Sequence, residues 1–445
     1  MKFHDIFNQS KITFNLAYPV MFSQLGQVMV GVADSVMVGQ VGKESLAGAS
    51  LGNSIFVLFL TFGIGISYGI TPLVAKADGE KNPRAIFDLL KNGFIINLIT
   101  AILLLCLLIF TSYIFPYLNQ PQQVVEQAVP YFIIISISIL PFMIFQTFRQ
   151  FAEGLSLTRQ AMIITVSGNM INILLNYVLI FGKVGFPTLG LFGAGLATLI
   201  SRIIMALAMA IFVYRGKRFK MFWLYFEQLN LDKRIIRKIL NIGLPSGFQF
   251  IFEVGAFSFA AIMVGWIGTI ALAAHQIAIS LASITYMMAT GIATATTIRV
   301  GNQLGKHNIP MLRKVGFTGF ILGATFMGFN AIILISLSNY LPTLYIADYD
   351  VIYISSKLIL IAAVFQISDG LQVVGLGALR GMSDVRIPTL VTLIAYWILA
   401  LPIGYLLGIH LNFGPIGIWT GLLIGLTFTA GMLIYRFNRI SYGIK

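Results

Sequence analysis

Long stretches of the chain carry almost no polar positions, and such stretches recur from end to end. A helix needs about 20 mostly apolar residues to cross a bilayer. Windows of that kind fall near 14–40, 48–75, 93–115, 129–151, 160–181, 190–213, 240–265, 272–298, 316–340, 354–379, 388–409 and 415–436. Their apolar runs are uninterrupted, whereas a barrel strand is short and alternates apolar with polar residues. The pattern predicts an all-α integral membrane protein with twelve transmembrane helices.

Composition points the same way. The chain is 58% hydrophobic and 10% charged, with a mean hydropathy of +0.90, against about 25% charged residues in an ordinary soluble domain. The N-terminal "MKFHDIFNQSK" is short and mixed in charge, and the apolar run after it lacks a clear small-residue cleavage site. It reads as a retained first helix, not a signal peptide. Cys106 is the single cysteine and forms no intrachain disulfide, so the sequence is silent on an oxidising compartment.

The net charge of +14 could suggest nucleic acid, but that needs basic residues gathered on one face. Here they lie in short connections. The N-terminal tail, the even-to-odd connections and the C-terminal tail hold 25 of the 29 Lys and Arg; the opposite connections hold only Lys43, Lys183 and Lys357. By the positive-inside rule both termini are expected in the cytoplasm. The remaining base, Arg202, falls inside the sixth span. The connection Tyr214–Leu240 carries eight basic residues. It is expected to lie on the anionic inner leaflet rather than to recognise a partner.

That connection also divides an internal repeat. Shifted by 226 residues, the halves align without a gap for more than sixty positions: Pro19 meets Pro245, Gly65-Ile66 meets Gly291-Ile292, Thr71 meets Thr297, Val74 meets Val300, and Asn82 meets Asn308. A second block at 227 pairs Gly154 with Gly381, Ser156 with Ser383 and Arg159 with Arg386. Six spans per half make a parallel repeat about an axis along the membrane normal. The expected organisation is a six-helix bundle over 1–213, a basic cytoplasmic linker over 214–239 and a second bundle over 240–445. Two such bundles with a cleft between them are a transporter architecture whose access alternates as the bundles rock.

Three acids fall deep inside spans: Asp34 in "MVGVADSVMVG", Glu253, and Asp369 in "QISDGLQ". A carboxylate at the centre of a membrane helix costs roughly 2.5–3.5 kcal/mol on insertion scales, so such residues mark function by default. Their use would be to exchange a proton for a metal ion or an organic cation, since burial favours the neutral carboxyl. The repeat sets Asp34 against Ala260, Glu253 against Gln27 and Asp369 against Phe142, an asymmetry that suggests different tasks for the two bundles.

In the fifth span "SGNMINILLNYVLIFG" sets Asn169, Asn172 and Asn176 on one helical face. Asn carbonyls beside Asp34 would make a hard oxygen site suited to Na⁺, or a hydrogen-bonded proton site. The ladder would serve equally for interhelical hydrogen bonding alone. Arg202 has three open uses: to counter a carboxylate, to line the cleft, or to snorkel. Gln27, Asn169, Arg202 and Gln249 are the candidate substrate-cleft residues. Pro19 and Pro245 either bend their helices or form static packing kinks. Gly65 and Gly69 in "GIGISYG" have the small-xxx-small spacing of a helix-contact face.

Several motifs fail. "GNQLGKH" has three residues between its glycines where a phosphate loop needs four, and His307 stands where Ser or Thr is required; "GQVGKES" fails on spacing too. The histidines His4, His275, His307 and His410 show no metal-ligand spacing. The glycosylation match at Asn8 lies on the expected cytoplasmic side. No nucleophile motif appears, and the chain is not expected to be an enzyme.

Taken together, "VADSVMVG", "LPSGFQFIFEVGAFS", "AAHQIAISLASI", "IRVGNQLGK" and "ISDGLQVVGLGALRGMSD" resemble the multidrug and toxic compound extrusion (MATE) transporters, and among them the bacterial NorM-type subgroup. The likeness covers nearly the whole chain. It implies an inner-membrane antiporter, without a cofactor, in which Na⁺ or H⁺ enters as organic, often cationic drugs leave. It also implies a cation or proton site at Asp34, Asn172 and Asn176 in the N-terminal bundle, where Na⁺ is one candidate. A second site falls at Glu253 and Asp369 in the C-terminal bundle. Some NorM-type members carry a Tyr where this chain has Phe365, which removes an oxygen ligand. Some relatives have an acid where this chain has Asn176, which leaves that site less negative. The expected partners are small organic cations and membrane lipid, with no nucleic acid, and the expected state is a monomer. Two rival functions are a flippase for lipid-linked saccharides, which would need a strongly basic cleft, and a membrane-embedded enzyme.

Overall fold

Hydrocarbon offers no partner to a backbone N–H or C=O, so a spanning segment must satisfy its own. The computed structural model describes residues 3–118, 120–216, 219 and 231–443. Twelve helices long and apolar enough to cross a membrane account for most of them, and no strand occurs among the described residues. They are α1 (Phe3–Gly39), α2 (Lys43–Gly79), α3 (Pro83–Ser112), α4 (Gln122–Gly154), α5 (Thr158–Phe181) and α6 (Gly190–Arg215), then α7 (Lys233–Ile267), α8 (Thr269–Gly305), α9 (Ile309–Ser336), α10 (Tyr349–Gly381), α11 (Arg386–His410) and α12 (Gly414–Gly443). Of the expected linker over 214–239, residues 217, 218 and 220–230 lie outside the described residues.

The chain forms two compact units, Phe22–Gly247 and Met1–Met21 with Phe248–Lys445. The boundaries lie inside α1 and α7, two residues beyond Pro19 and Pro245. Both prolines sit within helices assigned without a break. A proline has no N–H to donate to the carbonyl four residues back, here Asn15 and Asn241, which are themselves matched in the repeat.

The start of α1 is longer than its apolar window because its polar residues are anchored within their unit. Arg299 donates to the Gln9 carbonyl at 2.8 Å and to Thr13 Oγ1 at 2.6 Å. Lys314 pairs with Asp5 at 2.7 Å. In the other unit the start of α7 is held by the Asp232 N–H donating to Asn92 Oδ1 at 3.1 Å. There Gly65 and Gly69 form a contact face, as their spacing predicts. A Cβ on Gly65 would lie 2.4 Å from Gly247 Cα, and one on Gly69 would lie 2.5 Å from the Ile239 carbonyl.

The internal repeat reappears as repeated contacts. Thr71 Oγ1 donates to the Gln150 carbonyl at 3.1 Å in one unit, and Thr297 Oγ1 to the Gly377 carbonyl at 2.7 Å in the other. Asn82 and Asn308 cap α3 and α9 by accepting from the N–H three residues on, at 3.0 and 3.1 Å. Lys81 and His307, one before each cap, share φ 54, while Ser156 and Ser383 turn at φ 64 and 62.

Three helices depart from simple expectation. α2 breaks after Ser67 and resumes at Ile70, and α4 breaks at Ser138. α11 has π-turns at Ile394–Ala400 and Leu406–His410 around the segment Leu401–Tyr405. Pro402 cannot donate in that ladder. The neighbouring α12 also presses closely, because a Cβ on Gly421 would lie 2.5 Å from the Ala400 carbonyl.

A close approach repeated in both units falls at a glycine. A Cβ on Gly154 would stand 2.8 Å from Val74 Cβ, and one on Gly381 would stand 2.9 Å from Val300 Cβ. Gly154→Ala and Gly381→Ala should each lower stability by about 1–3 kcal/mol through overpacking. Thermal unfolding in detergent measures this, and Val74→Ala should recover part of the loss in Gly154→Ala. Wild-type unfolding temperatures in both variants would show that the crossing tolerates a methyl group.

Candidate functional site

In the Phe22–Gly247 unit the polar residues of α1, α5 and α6 form one chain of hydrogen bonds. Asn176 Nδ2 donates to Asp34 Oδ1 and, at 3.1 Å, to Asn172 Oδ1. Asn172 Nδ2 in turn donates to Ser201 Oγ at 3.3 Å and Thr198 Oγ1 at 3.5 Å. Asn172 and Asn176 are buried, and Asp34 is half-buried. The four-residue spacing of the two Asn residues stacks them on one face of α5, so one amide can bridge to its neighbour and across to α1. Asn176 Oδ1 is buried with no hydrogen-bond partner among the described residues. It is therefore an oxygen with lone pairs to offer beside a carboxylate.

Asn169 does not join that chain. Its Nδ2 stands 2.9 Å from where a Cβ on Gly26 would be, against the backbone of α1. Gln27 is half-buried and makes no hydrogen bond among the described residues. Of its three open uses, Arg202 takes a position near the first. It lies within electrostatic reach of Asp34 and Tyr131. Among the described residues it makes no ion pair. It donates instead to Ser138 Oγ at 2.7 Å, with its guanidinium 4.8 Å from the Phe142 ring centroid and 5.2 Å from that of Phe56. Rings on these faces attract the cation and hold its plane.

The C-terminal unit holds a cavity of about 340 Å³ lined by Glu253, His275, Tyr286, Phe365 and Asp369 among mainly apolar side chains. Glu253 Oε1 accepts from Gln372 Nε2 at 3.3 Å, and Gln372 exchanges hydrogen bonds with the Tyr396 hydroxyl at 2.9 and 3.1 Å. Glu253 Oε2 is buried without a partner among the described residues. Asp369 is buried one turn before Gln372 and near enough for its charge to act on Glu253. Gln249 is buried one turn before Glu253 but does not hydrogen-bond to it. Phe365 supplies no oxygen to this cavity; it stacks on Trp419 with centroids 5.6 Å apart and planes at 18°.

The pattern within single helices reveals the three acids and the Asn ladder. It does not reveal Ser138, Thr198, Ser201, Tyr396, His275 or Trp419, which arrive from other helices. Gln372, three residues after Asp369, was within reach of the same helical-face argument. Among the described residues, no three His, Cys, Asp or Glu side chains come together as metal ligands. Any ion held here would rely on amide and hydroxyl oxygens as well as carboxylates.

A twelve-span helical protein with polar sites inside each of two repeated units is a membrane transporter. The sequence pattern that defines the MatE family matches twice, over residues 19–178 and 245–406. The chain is 34% identical over 442 residues to "Multidrug resistance protein NorM" of Photobacterium profundum, covering 98% of this chain and 97% of that one. It is 34% identical over 426 residues to "Multidrug resistance protein MdtK" of Yersinia pseudotuberculosis, covering 95% and 93%. Among solved structures, the eukaryotic MATE transporter AtDTX14 shares the fold, with a TM-score of 0.88 at 18% identity over 99% of each chain. So does an outward-facing multidrug resistance MATE transporter of the MOP superfamily, with a TM-score of 0.88 at 20% identity over 98% of this chain and 96% of that one. The chain belongs to the MatE family, in its NorM-type branch, and is a transporter, not an enzyme.

Arg202→Lys should lower stability in detergent by about 0.5–2 kcal/mol, because an ammonium keeps the charge but not the planar face set between two rings. Phe142→Leu should lower it as well, and the two losses should not add. An unchanged unfolding temperature for Arg202→Lys would remove the ring contacts from the stability of this unit.

Proposed function

We propose that the chain exports organic, often cationic, drugs and toxins across the bacterial inner membrane by alternating access, driven by the antiport of Na⁺ or H⁺. The observation that carries this reading is the C-terminal cavity. It contains two buried carboxyls, and Glu253 Oε2 has no partner among the described residues. Such a cavity favours a cation over any neutral or anionic occupant, and protonation of the carboxyls would release it. The names of the similar proteins, multidrug resistance proteins NorM and MdtK, support the cargo class.

In this reading Asp34, Asn172 and Asn176 form the coupling site of the first unit. Na⁺ there would take oxygens from Asp34, the unpartnered Asn176 Oδ1 and Asn172, whereas a proton would take only Asp34. Glu253 and Asp369 form the second coupling site. Gln27, Asn169, Arg202 and Gln249 contact cargo, and Pro19 and Pro245 are points at which α1 and α7 bend. The excess of Lys and Arg in the tails and even-to-odd connections supports cytoplasmic termini. No cofactor enters the cycle, and the transporter acts as a monomer. Each inward charge contributes about 2.3 kcal/mol per 100 mV of membrane potential, enough to drive cargo uphill.

The test is ethidium transport in proteoliposomes under an imposed Na⁺ gradient or pH gradient at equal voltage. Transport is expected under one of them; under neither, the export reading fails. Asp34→Asn should insert normally and lower transport to below about one-tenth of wild type, a barrier higher by at least about 1.4 kcal/mol. Wild-type transport at equal expression would remove Asp34 from the mechanism.

A further inference from the structure

The cavity that holds Glu253 and Asp369 also contains a side chain whose chemistry the coupling reaction does not use. His275, on α8, is 2% exposed and lines this cavity. The Trp419 indole on α12 donates its N–H to His275 Nδ1 at 3.0 Å. Trp419 is fully buried. Its stack on Phe365 and its edge-on packing against the imidazole, with centroids 5.6 Å apart at 73°, fix its position.

An indole nitrogen can only donate, so His275 Nδ1 must present a lone pair. A neutral imidazole in that state carries its hydrogen on Nε2. A doubly protonated ring would set two N–H groups against each other and lose the bond. His275 Nε2 has no hydrogen-bond partner among the described residues. The titratable groups sharing the cavity are the carboxyls of Glu253 on α7 and Asp369 on α10 and the phenol of Tyr286 on α8; among the described residues no Lys or Arg lines it.

We infer that Trp419 locks His275 as a neutral, fixed hydrogen-bond donor, and that its Nε2–H selects cargo carrying an acceptor oxygen alongside its positive charge. This rests on reading the chain as an exporter of organic cations. It narrows the cargo to cations bearing a carbonyl oxygen, with the acids meeting the charge and the histidine meeting the oxygen. Cations without such an oxygen enter on charge and apolar contact alone.

Two dyes that differ only in that feature test it: tetramethylrhodamine methyl ester, which has an ester carbonyl, and tetramethylrosamine, which lacks it. Binding of each to the purified full chain in detergent is read by fluorescence anisotropy. His275→Phe keeps a flat ring and loses the donor. It should weaken the ester dye by roughly 3- to 10-fold, the size of one neutral hydrogen bond, and change rosamine by less than about twofold. His275→Gln places an amide N–H near the position of Nε2 and should restore much of the ester preference. Equal weakening of both dyes, no weakening of either, or no binding of the ester dye to wild type overturns the proposal.

Nitrogen-15 NMR of a chain with only four histidines supplies an independent readout. The signals lost in His275→Phe should report the neutral Nε2–H tautomer and stay fixed between about pH 6 and 8, while Trp419→Phe should release them. A titrating ring or the opposite tautomer in the wild type overturns the lock. Dye binding without transport under any gradient would defeat the export reading and leave this selectivity standing.

Discussion

Water is missing from the interior of a bilayer, and the polar interior of this protein answers to that absence. Each buried amide, hydroxyl or charge must find its partner within the protein or remain unsatisfied at a cost of about 1–3 kcal/mol. Most of them do find one. Thr and Ser hydroxyls turn back to carbonyls one helical turn earlier, Asn172 and Asn176 pass a hydrogen bond along α5 to α1, and Arg149 pairs with Glu153 at 2.7 Å, both buried at the end of α4. Against that background the few unsatisfied atoms stand out. Asn176 Oδ1 and Glu253 Oε2 lie where the first helix of each repeat carries its acid.

The two units share a scaffold but not a charge pattern. Thr71 and Thr297 make the same hydrogen bond, and Gly154 and Gly381 receive the same valine. These contacts are backbone-close and tolerate no side-chain growth, so both copies keep them. At other positions the copies diverge. Phe142 occupies the repeat position of Asp369, and its ring lies beneath the Arg202 guanidinium. One unit thus sets an acid and a base within reach of each other, while the other gathers two acids beside a histidine in one cavity, with Arg380 acting on Glu253 from outside the lining.

Much of the fold was legible because hydropathy and the repeat are properties of single segments. The twelve spans and the Gly65–Gly69 contact face follow from local spacing. The acids were legible for the same reason, since each stands alone in an apolar run. Contacts between distant segments were not. Nothing near His275 announces Trp419, 144 residues away, and four scattered histidines gave no hint that one had a fixed tautomer. The clamp on Arg202 draws on Phe56, Ser138 and Phe142 from two other helices. The π-turns of α11 were hidden too, because they arise from the close fit of α12 together with Pro402, whereas hydropathy reports only that the segment is apolar.

The first helix has a consequence for the order in which the molecule is made. Its opening part, through Met21, packs in the unit completed by Phe248–Lys445. Arg299 and Lys314, which hold Gln9, Thr13 and Asp5, emerge about three hundred residues after their partners. During synthesis the beginning of α1 must therefore wait at the membrane surface without the side chains that later hold it. Its final neighbours do not yet exist, and until they do only lipid and interfacial water can hold that helix in place.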